Sequence, residues 1–344
     1  MQALETLIDQ ERPLGVLNGI FAGGDIPHAF LFTGMDGVGK RTAARRFAMA
    51  CNCGVNIKRK ESISDGRPPL HGSAPCGECQ SCAAMLAGSH PDLIFIEPEG
   101  NVIKIARIRE LLHRITFKPF EAIMRAVIIA RAGSMNREAS NALLKALEEP
   151  PPQTVFFLTA AHPSDLLPTV VSRCQHVRFN PVSAETMETY LQTRAGVNAS
   201  TAKTVALLSG GSMATALAMA EKPDDARLMA NRRQWLLQML NDLPGMSVPM
   251  VFAVAEVMAK DTKWLAPSLD IIKSYLRDAV IIQNCPSGII NTDMRDQIQA
   301  MTASRSREQL LVGLDAVMDM EAGLQNNGNP RLLMENLAMQ LART

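Results

Sequence analysis

Aromatic residues are scarce in this chain: 4% of 344 residues, with two tryptophans, two tyrosines and eleven phenylalanines. Strands draw on aromatic and β-branched residues, so a sandwich or barrel is disfavoured. The abundant Ala, Leu and Met point to helices instead. No uncharged apolar run approaches the roughly 20 residues of a membrane span. Met1 to Arg12 lacks the apolar core of a secretory signal. The chain therefore reads as cytosolic. Net charge is only +1, so a strong nonspecific pull on nucleic acid is not written in the total, which leaves a local patch open. The seven cysteines are an odd number, which argues against a disulfide framework in a cytosolic chain.

Among what is present, Gly34-Met35-Asp36-Gly37-Val38-Gly39-Lys40 stands out. It follows the apolar run Ala29-Phe30-Leu31-Phe32 and leads into a helix-forming segment, 41–50. Strand, glycine-rich loop, lysine and helix in that order form a phosphate cradle. Backbone N–H groups turn inward, the helix start adds positive dipole, and Lys40 neutralises charge. The next position should carry a Ser or Thr hydroxyl for Mg²⁺, and it carries Arg41. Thr42 lies one step round the helix and is expected to face elsewhere. The candidate phosphate-loop residues are Gly34, Gly37, Gly39, Lys40 and Thr42.

A second signal is Cys76-Gly77-Glu78-Cys79-Gln80-Ser81-Cys82, where two C-x₂-C steps share Cys79. With Cys53 upstream, four thiolates can close a tetrahedral Zn²⁺ site with no open position, which is structural rather than catalytic. Cys51 is the alternative fourth ligand. Its side chain belongs to the preceding helix, so Cys53, beyond the helix end, is preferred. The intervening 56–75 is polar, rich in Gly, Pro and Ser, and reads as a mobile excursion.

The spacing predicts a helix over 3–22, broken near Pro13, and strands at 28–33, 92–97, 126–130, 155–159 and 174–179. Helices are expected at 105–117 and 140–147, with a helix-like stretch at 164–171. Alternating strands and helices indicate a doubly wound parallel sheet. From Asn180 the strands stop. Three short helices (183–194, 200–208, 212–221) precede an all-helical tail with segments near 225–241, 248–260, 264–284, 305–325 and 330–342. In the fourth of these, Leu310, Leu311, Leu314, Val317 and Met318 are expected on one face. The fold class is thus α/β followed by all-α. The domains are 1–179 with a zinc knuckle at 53–82, a lid at 180–222, and a helical domain at 223–344.

Hydrolysis of a nucleoside triphosphate needs a hydroxyl and an acid to hold Mg²⁺. The acid is expected at the end of strand 126–130, where Ala130-Arg131-Ala132-Gly133 stands instead and the next carboxylate is Glu138. Two linked losses suggest a site that does not hydrolyse, with weak phosphate binding through Lys40 and the backbone left open. Arg173, in Ser172-Arg173-Cys174, is the one catalytic-looking residue that remains. By spacing alone it is more readily a surface arginine in a salt bridge worth about 0–1 kcal/mol.

The motifs together resemble the bacterial DNA polymerase III clamp-loader family of AAA+ proteins. The resemblance rests on Gly37 to Thr42, Cys53 with the cysteine knuckle, His90-Pro91-Asp92, and the run from Ser140 to Pro151 with its Asn-Ala-Leu-Leu-Lys-Ala-Leu-Glu-Glu-Pro-Pro. Ser172-Arg173-Cys174 and Asn329-Pro330-Arg331-Leu332 complete it, so it covers nearly the whole chain. It implies an AAA+ P-loop domain, a helical lid and a helical collar that joins subunits into a hetero-pentamer. The implied partners are tau/gamma-like ATPase subunits, a delta-like subunit, and through the complex a sliding clamp and primed DNA, with no membrane. In the family's ATP-hydrolysing members Asp-Glu follows the strand at 125–129, and the lid carries an arginine where Ala214 stands here. The resemblance therefore implies the non-hydrolysing subunit, with zinc as structural cofactor, weak or absent ATP/ADP binding, and Arg173 offered in trans as an arginine finger. The alternatives are an ATP-hydrolysing motor subunit of the same loader and a stand-alone zinc-knuckle scaffold.

Overall fold

The computed structural model describes residues 7–61, 74–326 and 328–343. They divide into two compact units. The first comprises residues 1–187 and 211–215, the second residues 188–210 and 216–344. The range 180–222 expected as one lid is thus shared between the units.

The first unit is built on five parallel strands: β1 (Ala29–Thr33), β2 (Leu93–Ile96), β3 (Arg125–Ile129), β4 (Thr154–Ala160) and β5 (Gln175–Arg178), in the order β2-β3-β4-β1-β5. Every residue of β1, β3 and β4 is buried, which is why these runs are continuously apolar rather than alternating. Side chains of β1 divide between two cores. Phe30 and Phe32 meet Phe47 and Phe157 on one face, while Ala29 and Leu31 meet Phe156 and Val127 on the other. Phe30 and Phe157 stack with ring centroids 5.2 Å apart. Edge strand β5 buries only Val177 and exposes Gln175, His176 and Arg178.

Helix α1 (Glu11–Gly23) precedes β1. The expected helix over 3–22 begins later, and residues 3–6 lie outside the described residues. Pro13 does not break it. It occupies the first turn, where its missing N–H would have had no intrahelical partner. Helix α2 (Lys40–Asn52) follows the glycine loop, and α3 (Gly54–Glu61) occupies the start of the stretch read as an excursion. Residues 62–73 of that stretch lie outside the described residues. Then come α4 (Gln80–Ala87), α5 (Ile105–Ile115) and α6 (Arg137–Glu148), the last opened by Asn136, whose side chain accepts from Ala139 N at 2.9 Å. The helix-like stretch at 164–171 is a 3₁₀ turn at Pro163–Asp165 and a single helical turn, α7 (Pro168–Val171).

After α8 (Ala184–Thr193), α9 (Ala199–Leu208) and α10 (Met213–Ala220), the chain runs through α11 (Pro223–Asp242), α12 (Val248–Lys260), α13 (Thr262–Ile282), α14 (Arg295–Ser304), α15 (Arg307–Gln325) and α16 (Pro330–Arg343). In the second unit α11 to α16 close over one core that includes Leu236, Ile272, Tyr275, Val317 and Leu337. Helix α14 is absent from the sequence reading, because Ile298 and Met301 alone are too few apolar positions to mark a period. The expected face of α15 is corrected. Leu310, Val317 and Met320 are buried and Leu314 packs partly, whereas Leu311 and Met318 are exposed. The buried arc is turned toward Gly313, Ala316 and Met320, so Leu311 and Met318 fall outside it. Among the described residues no helix is long and apolar enough to cross a membrane.

Candidate functional site

The glycine loop joins β1 to α2 at the carboxyl end of the sheet, where open α/β sheets bind ligands. Gly37 (φ 84°) and Gly39 (φ 101°) hold left-handed backbone that a side chain would strain. Around the loop is a cavity of about 590 Å³, lined by Asp36, Gly37, Gly39, Lys40, Arg41, Thr42, Arg45, Phe95, Glu97, Pro98, Ala130, Arg131, Thr159 and Ala214. The structure places Gly37, Gly39, Lys40 and Thr42 around this one space, and Gly34 is not among its lining residues. Thr42 does not face elsewhere. One residue on from Arg41, it still borders the same space.

Lys40 is 5% exposed, and its ammonium is turned back onto its own loop. It donates to Gly34 O, to Met35 O at 3.1 Å and to Asp36 Oδ1 at 3.2 Å. Burial holds its pKa below the ordinary lysine value, against the opposing pull of Asp36 and Asp165. The loop is also covered. Ala214 N donates to Gly37 O at 3.2 Å, a side chain at Gly37 would overlap Ser212 Oγ, and one at Gly39 would overlap Leu7.

The groups that would hold magnesium are replaced by Arg41 and by Ala130-Arg131. Arg41, in the hydroxyl's place, pairs with Glu97 Oε1 at 2.5 Å and lies over the Phe95 ring at 5.8 Å. Sequence reading missed Glu97, which directly follows β2, the edge strand beside β3. At the end of β3, Arg131 adopts φ 47°, and its N–H donates to Thr159 Oγ1 at 3.1 Å. Thr159, on β4, is a second lining residue that no motif marked.

Arg173 lies between α7 and β5 with its side chain 35% exposed. Its Nη2 pairs with Glu148 Oε1 at 2.7 Å, and its Nη1 donates to Thr169 O at 2.9 Å and to Ser172 Oγ at 3.4 Å. The guanidinium is thus oriented by three acceptors on its own chain. Arg173 does not line the cavity beside Lys40.

The ligand atoms of Cys53, Cys76, Cys79 and Cys82 all lie within 4.8 Å of one another. Tetrahedral zinc with bonds of about 2.3 Å asks for sulfurs about 3.8 Å apart, and Cys76 Sγ and Cys82 Sγ are 4.0 Å apart. Cys51 is not in the cluster. Cys76 Sγ accepts from Cys79 N at 3.3 Å, and Cys53 Sγ accepts from Cys76 N at 3.5 Å. Such N–H donors favour thiolate, and the bond from Cys79 N leads in bringing the Cys76 thiol down to about 7, while burial pushes Cys82 up. The donor set and the spacing, with no fifth group in the cluster among the described residues, fit a closed metal site.

The His90-Pro91-Asp92 motif acquires a physical role. Asp92 is buried and accepts from Phe120 N, Glu121 N and Ala122 N at 2.9, 2.9 and 3.0 Å. It also pairs with buried Arg125 at 3.3 Å, which in turn donates to Phe117 O and Lys118 O. His90 Nδ1 accepts from Asp92 N at 3.1 Å. The motif pins the segment between α5 and β3.

The family model described as DNA polymerase III, delta subunit, matches residues 9–183. The chain belongs to the DNA polymerase III delta-subunit family. The model for the C-terminal part of that delta subunit matches residues 227–343, so both units carry the family's pattern. DNA polymerase III subunit delta' of Bacillus subtilis is 28% identical over 334 residues, covering 96% of each chain. Its counterpart in Pseudomonas aeruginosa is 28% identical over 330 residues, covering 92% of each. DNA polymerase III subunit tau of Bacillus subtilis is 23% identical over 363 residues, spanning this whole chain and 62% of tau.

Proposed function

We propose that this chain is the delta'-type subunit of a DNA polymerase III clamp loader. It is a non-hydrolysing stator that helps place a sliding clamp on primed DNA. In this reading it joins tau/gamma-like ATPase subunits and a delta-like subunit in a cytoplasmic hetero-pentamer. Residues 1–179 form the AAA+ domain, 180–222 the lid and 223–344 the collar. Cys53, Cys76, Cys79 and Cys82 hold a structural Zn²⁺.

One observation supports the reading: Arg41 stands in place of the hydroxyl and Ala130-Arg131 in place of the Asp-Glu pair, and all three line the cavity beside a lysine already satisfied by its own loop. Guanidinium cannot ligate a divalent cation. Arg173, by contrast, is oriented and reaches solvent, as a group offered to a neighbour's γ-phosphate must be. The near full-length likeness to two delta' subunits supports the same choice.

The test is reconstitution with the ATPase and delta-like subunits. Arg173→Ala leaves assembly by gel filtration intact and lowers turnover at the contacted site by roughly 10³-fold or more, the usual worth of a trans arginine. Unchanged loader ATPase overturns the trans role. The motor reading draws on the full span of the likeness to tau and the intact Gly34-to-Lys40 pattern. Brisk Mg²⁺-dependent turnover by the isolated chain would establish it.

A further inference from the structure

Helix α6 ends on a residue that helix electrostatics disfavours. Glu148 is its last residue, where unpaired carbonyls carry partial negative charge and repel a carboxylate. That last turn is nonetheless firmly held. Leu143, Ala146 and Leu147 are buried in the core on one face of the sheet, and Pro150, Pro151 and Pro152 cannot continue the helix. Glu149, just before them, has already left helical geometry, with φ −121° and ψ 76°. A carboxylate fixed at the unfavourable end of a helix departs from what stability alone selects, and such departures gather at functional sites.

What this carboxylate meets is Arg173. Glu148 Oε1 lies 2.7 Å from Arg173 Nη2, and both side chains are well exposed, so the pair adds little to stability. The backbone of the arginine is anchored on both sides, by buried Val170 and by Cys174, which packs partly against the same core. Its Nη1 donates to Thr169 O and Ser172 Oγ. Those two acceptors belong to the arginine's own turn and move with it. Among the described residues, Glu148 is the one acceptor that a different element supplies, so it fixes the guanidinium relative to the sheet. No acceptor among those residues meets Nε. The Nε–H, with the Nη2 hydrogen that Glu148 leaves free, is enough to grip a phosphate through two bonds.

We propose that Glu148 is a positioning residue for Arg173: it holds the guanidinium at the angle from which its free N–H groups meet a nucleotide on the adjoining subunit. The inference rests on the trans role proposed for Arg173 and adds to it the residue that orients the arginine. An arginine without such a partner spreads over many rotamers, and the fraction aimed at the phosphate falls accordingly. Orientation of this kind acts on the chemical step rather than on nucleotide affinity, because the adjoining subunit's own loop binds the nucleotide. Glu148 itself neither touches the nucleotide nor moves a proton.

The test is a double-mutant cycle on the full-length chain, reconstituted with the ATPase and delta-like subunits. Glu148→Ala lowers kcat at the contacted site by roughly tenfold, against roughly 10³-fold for Arg173→Ala. It leaves KM for ATP, assembly by gel filtration and thermal unfolding of the chain unchanged. Glu148→Gln keeps an acceptor of the same shape and recovers most of the rate. In the Arg173→Ala background Glu148→Ala costs nothing further, a non-additivity that a merely structural role would not produce. Wild-type kcat in Glu148→Ala, with Arg173→Ala still impaired, overturns the inference and leaves the proposed function standing. So does a Glu148→Ala effect that persists without Arg173, or one confined to assembly or KM. Unchanged turnover in Arg173→Ala overturns the trans role and this inference with it.

Discussion

Replacing Asp92 tests how the first unit is held. Its carboxylate is buried, accepts three backbone N–H groups between 2.9 and 3.0 Å and faces the buried Arg125 guanidinium at 3.3 Å. Asp92→Ala removes those acceptors together and leaves Arg125 with backbone carbonyls but no counter-charge. Counting each hydrogen bond to a charged group at about 1.5–3 kcal/mol would overshoot, because the segment relaxes and admits water. Breaking a buried pair by removing one partner costs about 3–5 kcal/mol, and that is the expected loss for this unit. Asp92→Asn keeps an acceptor of the same shape and should cost less, about 1–3 kcal/mol. Adding Arg125→Met to Asp92→Ala should recover part of the loss by removing the stranded charge. Fluorescence is the wrong probe: Trp235 and Trp264, like Tyr190 and Tyr275, all belong to the second unit. Hydrogen exchange at the amides of Phe120, Glu121 and Ala122, with calorimetric unfolding, reads the first unit directly. A loss under about 1 kcal/mol with unchanged protection of those amides would refute the assigned role.

The remaining predictions concern the same unit. Acidification should expose the Asp92 term. Burial pushes this carboxyl up, but the N–H groups of Glu121, Ala122 and Phe120, with Arg125, outweigh burial and hold it below its ordinary 3.8. Its contribution is therefore complete above pH 3.8 and is lost as pH falls below that value, so the stability gap between wild type and Asp92→Asn should close in that window. Chelating the metal, with its removal verified by elemental analysis, should lower unfolding of the first unit by roughly 10 °C or more and leave the tryptophan-reported transition unmoved. An unaltered first transition would show that the four thiols need no metal. Gly37→Ala combines a φ of 84° with overlap onto Ser212 Oγ. It should cost about 1–3 kcal/mol, visible as faster exchange at Ala214 N, whose bond to Gly37 O it disturbs.

Much of the site is legible from order alone because its chemistry is local. A glycine loop, its lysine and the helix behind it are contiguous, and Cys76, Cys79 and Cys82 stand at steps that bring sulfurs to one side of an ion. The buried strands announce themselves as unbroken apolar runs. What could not be read joins residues distant in sequence. Glu97 reaches Arg41 from another strand, Glu148 reaches Arg173 from another helix, and Ser212 and Ala214 close over Gly37. Thr42 was misread for a related reason: facing solvent or a cavity depends on what else borders the helix start.

The amino-acid order by itself determined the parallel α/β class, the helical remainder, the cysteine quartet and the missing magnesium ligands. Each follows from periodicity, from short-range spacing or from side-chain chemistry that no fold can alter. Only the tertiary structure decided where the charges go. Lys40 turns into its own loop, Arg41 and Arg131 meet at one cavity, and Asp92 is spent on holding a backbone segment. Electrostatic energy depends on separation and burial, and a linear sequence specifies neither until the strands have been ordered and packed.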